Sequence, residues 1–177
     1  MKLKLVGTID AHLVDVEDDE NIPFAIDWIP VGSAGVPISY SVEDQTGGSS
    51  AGLIHLNINA LTGEIIGAEV VIGLKWKNKI TASDLDSLPE IPGSVLIDRS
   101  GWNLDLNGFP KERIIDDAHL LSTGSSESYI YFSFSEVSPV RKIMSGPAGF
   151  AVDSNDELTG IVVDRNSGPW IRRLSLP

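Results

Sequence analysis

Three histidines are the first side chains to test for chemistry, because imidazole serves both as a general base and as a metal ligand. They are His12, His55 and His119, and no two of them stand at a metal-ligand spacing. The chain has no cysteine and no glycine-rich phosphate loop with its lysine. We therefore predict that the protein is not an enzyme and uses no cofactor or metal. A site assembled in space from these histidines and distant carboxylates stays open.

Two short runs of alternating oxygen side chains, in residues 15–19 and 153–157, are the nearest approach to a metal motif. Calcium loops use alternating oxygen ligands, but they also have a central glycine and a distal glutamate. Both runs lack these two residues, so the sequence does not predict a calcium site.

Negative charge is concentrated in one stretch of the chain. The chain has 25 acidic and 13 basic residues; eleven of the acids and none of the bases lie in residues 5–74. A solvated face selected for solubility is the simple interpretation. A one-signed surface also attracts cationic partners over long range and speeds their association. Nucleic acids and anionic membranes are not expected partners of such a face, because their phosphates would be repelled.

Short apolar and β-branched runs separated by Gly, Pro, Asn, Asp and Ser are typical of a β-rich protein. They predict strands over residues 2–9, 11–17, 24–29, 37–42, 53–59, 65–76, 94–98, 102–106, 128–135, 148–152, 158–163 and 170–174. Two short helices are predicted, one over residues 83–88 before Pro89 and a second over residues 110–121, where Ile114 and Ile115 would also suit a strand. The expected fold class is mainly β with antiparallel sheets, and α+β is the alternative.

Two segments of the chain echo each other. Residues 56–67 and 150–160 both read as an apolar run, an Asx residue, a turn, a glutamate, an apolar residue and a glycine. A second echo relates residues 97–102 to residues 163–170. The chain is expected to be one domain over residues 1–177, and duplication into two similar subdomains over about 1–80 and 93–177 is left open against the chance reuse of common turn residues.

The N-terminal residues start with a charged segment, but the apolar run that follows ends at Thr8 and Asp10. A secretory signal needs a longer apolar region, and no window reaches the length of a membrane span. We therefore expect a cytoplasmic protein. Its oligomeric state is not predicted, and assembly through edge strands stays open.

In size, in acidity and in hairpins such as residues 59–67 and 153–160, the chain resembles the immunity proteins of bacterial contact-dependent growth-inhibition and related polymorphic toxin systems. The resemblance implies tight one-to-one binding of a cognate toxin, a basic nuclease domain being the first expectation. It carries no functional residue over, because those proteins share no signature motif.

The predicted contact region consists of acidic residues near the N-terminus: Asp15, Glu17, Asp18, Asp19, Glu20, Glu43 and Asp44. Four tryptophans, at positions 28, 76, 102 and 170, are expected to pack in the core. Trp28, which follows the acidic cluster closely, is the candidate for a binding anchor instead. The alternative function is a β-sandwich or barrel enzyme or ligand module with a pocket that includes Tyr40, His55 and Tyr129.

Overall fold

A computed structural model describes residues 3–10, 13–16, 24–29, 36–45, 52–72, 82–103, 105, 111 and 114–167. The fold is mainly β, with three sheets and one short helix, as the sequence predicts. Within the described residues, no helix has the length and apolar character needed to cross a membrane.

The first sheet has six strands in the order β2-β3-β6-β5-β4-β9. All neighbours are antiparallel except β4 and β9, which run parallel. The strands are β2 (Leu13–Val16), β3 (Phe24–Ile29), β4 (Pro37–Asp44), β5 (Leu53–Asn59), β6 (Ile65–Ile72) and β9 (Ile114–His119).

The second sheet has six strands in the order β10-β11-β14-β13-β12-β7, again with one parallel pair, β12 and β7. Its strands are β7 (Glu90–Pro92), β10 (Ser122–Ser125), β11 (Tyr129–Ser133), β12 (Arg141–Ser145), β13 (Ala148–Val152) and β14 (Leu158–Asp164). A separate antiparallel pair joins β1 (Leu5–Ile9) to β8 (Ser94–Ile97), and helix α1 (Ala82–Ser87) precedes β7.

The two large sheets have equivalent strand orders. Strands β2 to β6 are arranged in the first sheet as β10 to β14 are in the second, and a parallel strand completes each sheet beside β4 or β12. However, β9 comes from the second half of the chain and joins the first sheet. Gene duplication stays open, and strand β9 links the two halves of the chain because it joins the first sheet.

The inner faces of the two large sheets form one hydrophobic core. Phe24 of the first sheet stacks on Phe132 of the second with 6.0 Å between ring centres. The Trp28 ring lies 5.6 Å from the Phe150 ring, and its Nε1 donates a hydrogen bond of 2.9 Å to the carbonyl of Ser145. Burying each such aromatic stabilises the fold by about 1.5–3 kcal/mol.

The two similar sequence segments, residues 56–67 and 150–160, form hairpins whose turns are stabilised by the same kind of hydrogen bond. Asn59 Oδ1 accepts the backbone N–H of Leu61 at 3.0 Å, and Asp153 Oδ1 accepts that of Asn155 at 2.8 Å. Both are Asx turns, in which the side-chain oxygen accepts the N–H of the residue two positions later, as a backbone carbonyl does in an ordinary turn. The echo in the sequence therefore corresponds to an equivalence in structure.

Each of these turns also accepts a backbone hydrogen bond from one strand of the two-stranded sheet formed by β1 and β8, which we call the small sheet. Gly63 and Asp156 adopt left-handed conformations, with φ of 81° and 63°. Their carbonyls accept the N–H groups of Ile97 and Leu5, at 2.9 and 2.7 Å. Ile97 and Leu5 are themselves paired between β8 and β1. The turns thus anchor the small sheet at both of its strands.

The second predicted helix, over residues 110–121, is wrong. Residues 114–119 form strand β9, whose side chains alternate between exposed and partly buried positions. Pairing with β4 satisfies the backbone of this segment and places Ile115 against the core. A long-range pairing therefore overrides a weak local helix pattern.

Other sequence predictions differ in detail. The helix predicted over residues 83–88 is confirmed as α1, with bounds shifted by one residue. In the strand predicted over residues 102–106, the described residues 102, 103 and 105 do not form a strand, and the Trp102 N–H instead closes a turn on the Arg99 carbonyl at 3.0 Å. Strands β7, β10 and β12 were not predicted, since they are short or rich in serine and charge. The strand predicted over 170–174 lies outside the described residues.

Replacing Gly63 by alanine is expected to destabilise the protein by about 2 kcal/mol or more. A Cβ there would lie 2.5 Å from the carbonyl oxygen of Ile97. Gly124→Ala is the matched control, because a Cβ at that position meets no atom within 4 Å. We expect the control to change stability by less than about 1 kcal/mol. Urea unfolding measures both; equal midpoints for the two variants would contradict the anchoring role of this turn.

Candidate functional site

The outer surface of the first sheet carries carboxylates from five strands. Residues that pair across the sheet point to the same side of it. The alternation of each strand buries its apolar positions in the core and leaves five acids on the opposite side. We call this surface the acidic face; its acids are Asp15, Asp27, Glu43, Glu69 and Asp116.

Two acids of this face stand directly opposite each other. Asp15 of β2 is paired with Asp27 of β3, and both are exposed. Partial burial raises the pKa of Asp27, and the negative charge of Asp15 raises it further. No hydrogen bond or ion pair joins Asp27 to another residue in the described ranges. Like charges facing each other across strands oppose folding, so this arrangement is not explained by stability.

Nothing basic relieves the charge from within the sheet. Its six strands contain no Lys or Arg, and His55, opposite Glu69, is the one ionisable base on the acidic face among the described residues. Arg141 instead pairs with Asp156 in a hairpin of the second sheet. Six strands spaced by about 4.8 Å make the face about 24 Å wide, a size suited to a protein surface.

Apolar side chains border the acids on the same surface. Ile29 at the end of β3 and Ile114 at the start of β9 are exposed, and by the alternation of their strands they lie on the same side as Asp27 and Asp116. Asp27 and Ile29 also line a shallow depression together with Pro37, Asn57 and nearby side chains. The face therefore offers both charge and contact area for a partner.

The predicted contact residues have different outcomes. Asp15 and Glu43 are exposed on the acidic face. Glu17, Asp18, Asp19 and Glu20 lie outside the described residues. Asp44 is only 7% exposed, because it points to the inner side of β4, and it is not an accessible contact.

Trp28 is corrected from surface anchor to core residue. Its side chain is 2% exposed and its indole N–H is bonded to the second sheet. The alternation of β3 places Trp28 on the same side as Phe24 and Ile26, opposite Asp27. Its closeness to acids along the chain therefore does not place it among them in space.

Sequence reasoning did not select Asp27, Glu69 and Asp116 as contact residues. The alternation of β3 and β6 carries the signal for the first two, because each acid stands between buried apolar residues. Asp116 has no such signal. It reaches the face only because β9 joins the first sheet beside β4.

A second group of polar side chains, Tyr40, Asp117 and His119, lies on the inner side of the edge pair β4 and β9. The Tyr40 hydroxyl donates to Asp117 Oδ2 at 2.6 Å, and His119 Nε2 lies 3.1 Å from the same oxygen. Burial raises the pKa of Tyr40, and its hydrogen bond to Asp117 adds to this. Burial also raises the pKa of Asp117, but the hydrogen bonds that its carboxylate accepts outweigh burial and lower the pKa to about 2.

A third group is built around Lys142 on the outer side of the second sheet. This side chain is 2% exposed, and burial lowers its pKa. Its Nζ lies 3.7 Å from Glu90 Oε2 and 3.7 Å from the centre of the Tyr129 ring. Tyr129 in turn donates a 2.8 Å hydrogen bond to Glu90. These contacts hold the parallel strand β7 against the sheet.

The proposed pocket of Tyr40, His55 and Tyr129 does not assemble. Tyr40 lies on the inner side of the first sheet, His55 on its outer side and Tyr129 in the second sheet. The acidic run 153–157 uses Asp153 to accept backbone N–H groups of its own turn. Among the residues described, no three His, Asp or Glu side chains come together as a metal-ligand set.

Comparison with known proteins adds no assignment. No protein-family model matches the sequence, and no curated protein matches it. The interpretation of the site therefore depends on its geometry and charge.

Replacing Asp117 by asparagine is expected to reduce stability at neutral pH by about 1–2 kcal/mol. The folded-state pKa of Asp117 is lowered, so its contribution is present above the unfolded value near 3.9 and disappears as the pH falls toward 2. The difference between wild type and Asp117→Asn should therefore shrink between pH 4 and pH 2 in urea titrations. Asp116→Asn, on the exposed side of the same strand, should change stability by less than about 0.5 kcal/mol at pH 7. A difference that stays constant down to pH 2 would rule out this linkage.

Proposed function

We propose that this protein is an immunity-type binding inhibitor, which neutralises a basic toxin domain by covering it with the acidic face. It acts by binding and not by catalysis, in the cytoplasm of the cell that makes it. The observation that carries this proposal is the placement of five carboxylates, without Lys or Arg, on one side of a single sheet.

The unrelieved charge supports binding over a purely solubilising role. A surface that serves solubility can mix signs, and opposite charges then relieve repulsion. Here Asp15 and Asp27 face each other without a described cationic neighbour, and the pKa of Asp27 is raised as a result of burial and of this repulsion. A cationic partner would relieve that repulsion, so part of the cost in the free protein is recovered on binding.

A nuclease is the toxin class that best fits this surface. Nucleases need basic surfaces to hold phosphates, so an acidic face can imitate the charge of the substrate. The width of about 24 Å and strands of up to eight residues give roughly 600 Å², near the share of one partner in a standard interface. Exposed Ile29 and Ile114 supply apolar contacts at its borders.

Growth rescue tests the proposal directly. We expect the gene immediately upstream to encode a toxin domain; that domain should arrest growth when expressed alone, and co-expression of this protein should restore growth. Asp27→Asn/Asp116→Asn should weaken or abolish rescue. Asp10→Asn/Glu127→Gln removes the same charge from exposed positions outside the acidic face and should rescue fully. Rescue that is equal for both double variants would reject the acidic face as the binding surface, and no rescue by wild type would reject the function.

The salt dependence of the association rate distinguishes long-range electrostatic attraction of the toxin domain from short-range contacts in the complex. The association rate of wild type with the toxin domain should fall at least tenfold between 25 and 250 mM salt, because screening weakens long-range attraction. Asp27→Asn/Asp116→Asn should give a flatter slope, and Asp10→Asn/Glu127→Gln should retain the wild-type slope. Stopped-flow fluorescence measures all three. A wild-type rate that does not change with salt would contradict electrostatic docking.

A further inference from the structure

A shallow depression of about 320 Å³ lies on the acidic face, where β3, β6, β5 and β4 run side by side. Asp27 and Ile29 of β3 line one side of it and Ile66 of β6 lies next to them. Asn57 of β5 and Pro37 of β4 line the other side. One carboxylate, one amide and three apolar side chains therefore share a single recess, and a group that binds there must match both kinds of surface.

Gly67 lets the two polar side chains of the depression converge. It is paired with Asp27 on one neighbouring strand and with Asn57 on the other. A Cβ on Gly67 would lie 2.6 Å from Asp27 Oδ1 and 3.1 Å from Asn57 Nδ2. Both side chains thus incline over a position that has no side chain of its own. One ligand group can therefore contact the carboxylate and the amide together.

Both converging side chains are available to a ligand. Across the described ranges, the side chains of Asp27 and Asn57 form no hydrogen bond or ion pair with another residue. By contrast, the carboxylates of Asp98 and Asp164 accept N–H groups of their own turns. A carboxylate accepts on two oxygens and an amide on one, so the depression offers three acceptor atoms to a donor group.

The charge around the depression is negative. Asp15 of β2 stands directly opposite Asp27 of β3. The six strands of the first sheet contain no Lys or Arg. Two neighbouring carboxylates without a cation in the sheet attract a positively charged group and repel an anion. The group that fits is therefore a cation that carries several N–H donors.

A guanidinium group matches these acceptors better than an ammonium group does. It is planar and holds five N–H donors in a fixed fork, so it bonds both oxygens of one carboxylate while another N–H reaches a neighbouring acceptor. An ammonium is a compact and strongly hydrated point charge. The methylenes of an arginine would also lose contact with water against Ile29, Ile66 and Pro37.

We propose that this depression binds an arginine side chain of the partner protein. The guanidinium contacts Asp27 and Asn57, and the methylenes lie against the apolar walls. The inference rests on the proposed function, because that function brings a basic protein surface to the acidic face. It goes further by naming the residue type that the face recognises and the place where it binds. Arginines in such central contacts often contribute a large share of the binding energy.

Blocked amino acids test the depression without the toxin. Isotope-labelled full-length protein is titrated with Nα-acetyl-arginine methylamide and with its citrulline and lysine analogues, and the NMR shifts of Gly67 and Asn57 report binding. Citrulline keeps the shape of arginine but has a neutral urea group. We expect the arginine probe to bind at least tenfold more tightly than the citrulline probe and at least threefold more tightly than the lysine probe. Equal affinities in either comparison would overturn the inference.

Two pairs of variants locate the binding. Asp27→Asn should weaken binding of the arginine probe at least tenfold, whereas Asp116→Asn, which removes the same charge from another strand of the acidic face, should weaken it less than twofold. Asn57→Ala should weaken it at least threefold, and Asn155→Ala, at an exposed turn position outside the acidic face, should leave it unchanged. Equal losses within either pair would overturn the placement in this depression.

Gly67→Ala tests the convergence of the two side chains. The added methyl group should separate Asp27 from Asn57 and weaken binding of the arginine probe at least fivefold. Gly124→Ala is the control, because a Cβ there meets no atom within 4 Å. An unchanged affinity in Gly67→Ala would contradict the inference. If Gly67→Ala fails to fold, the pair of asparagine variants decides.

Growth rescue distinguishes this inference from the proposed function. Gly67→Ala keeps all five acids of the acidic face and should weaken rescue, whereas Gly124→Ala should rescue as wild type does. Full rescue by Gly67→Ala would reject the arginine contact and leave the inhibitor function in place. Absence of rescue by wild type, with the probe preferences as expected, would reject the inhibitor function and retain the arginine specificity. Free L-arginine that binds at least tenfold more tightly than the blocked probe would overturn a protein as the source.

Discussion

The arrangement of this molecule depends on the burial of two apolar sheet faces against each other. Phe24 and Trp28 of the first sheet contact Phe132 and Phe150 of the second, and these contacts remove both inner faces from water. Because strand side chains alternate, burying one set of positions exposes the other set. The alternation of β3 therefore exposes Asp27 to solvent and buries the neighbouring Trp28 in the core.

Buried charged side chains have interaction partners in this protein, whereas two exposed carboxylates of the acidic face stand opposite each other. The buried Lys142 has the Glu90 carboxylate and the Tyr129 ring beside it, and the Asp117 carboxylate accepts hydrogen bonds. Isolated charges in these positions would be costly. On the acidic face, by contrast, Asp15 and Asp27 are left facing each other. This contrast indicates that the face has a role outside the fold itself, which supports the proposal of a cationic partner.

Local sequence patterns predict those parts of the fold that are stabilised by interactions between residues close together in the chain. The sequence predicts helix α1 from Ser83, which is followed by the acidic Asp84, and from Pro89 after the helix. The hairpin turns at Asn59 and Asp153 were predicted because an Asx side chain bonds its own backbone wherever the chain goes. The local pattern leaves helix and strand open around Ile114 and Ile115, and the pairing of β9 with its distant partner β4 decides for the strand.

The sequence by itself determined that the protein is β-rich, that its first half is acidic and that two turns repeat. It could not determine which acids share a surface, because that depends on strand order and register, and these are decided by pairings between residues far apart in the chain. Only the tertiary structure placed Asp116 beside the acids of the first half, buried Trp28 and Asp44, and brought Tyr40, Asp117 and His119 together. Such contacts arise from burying apolar area across the whole molecule, and no short segment of sequence contains that information.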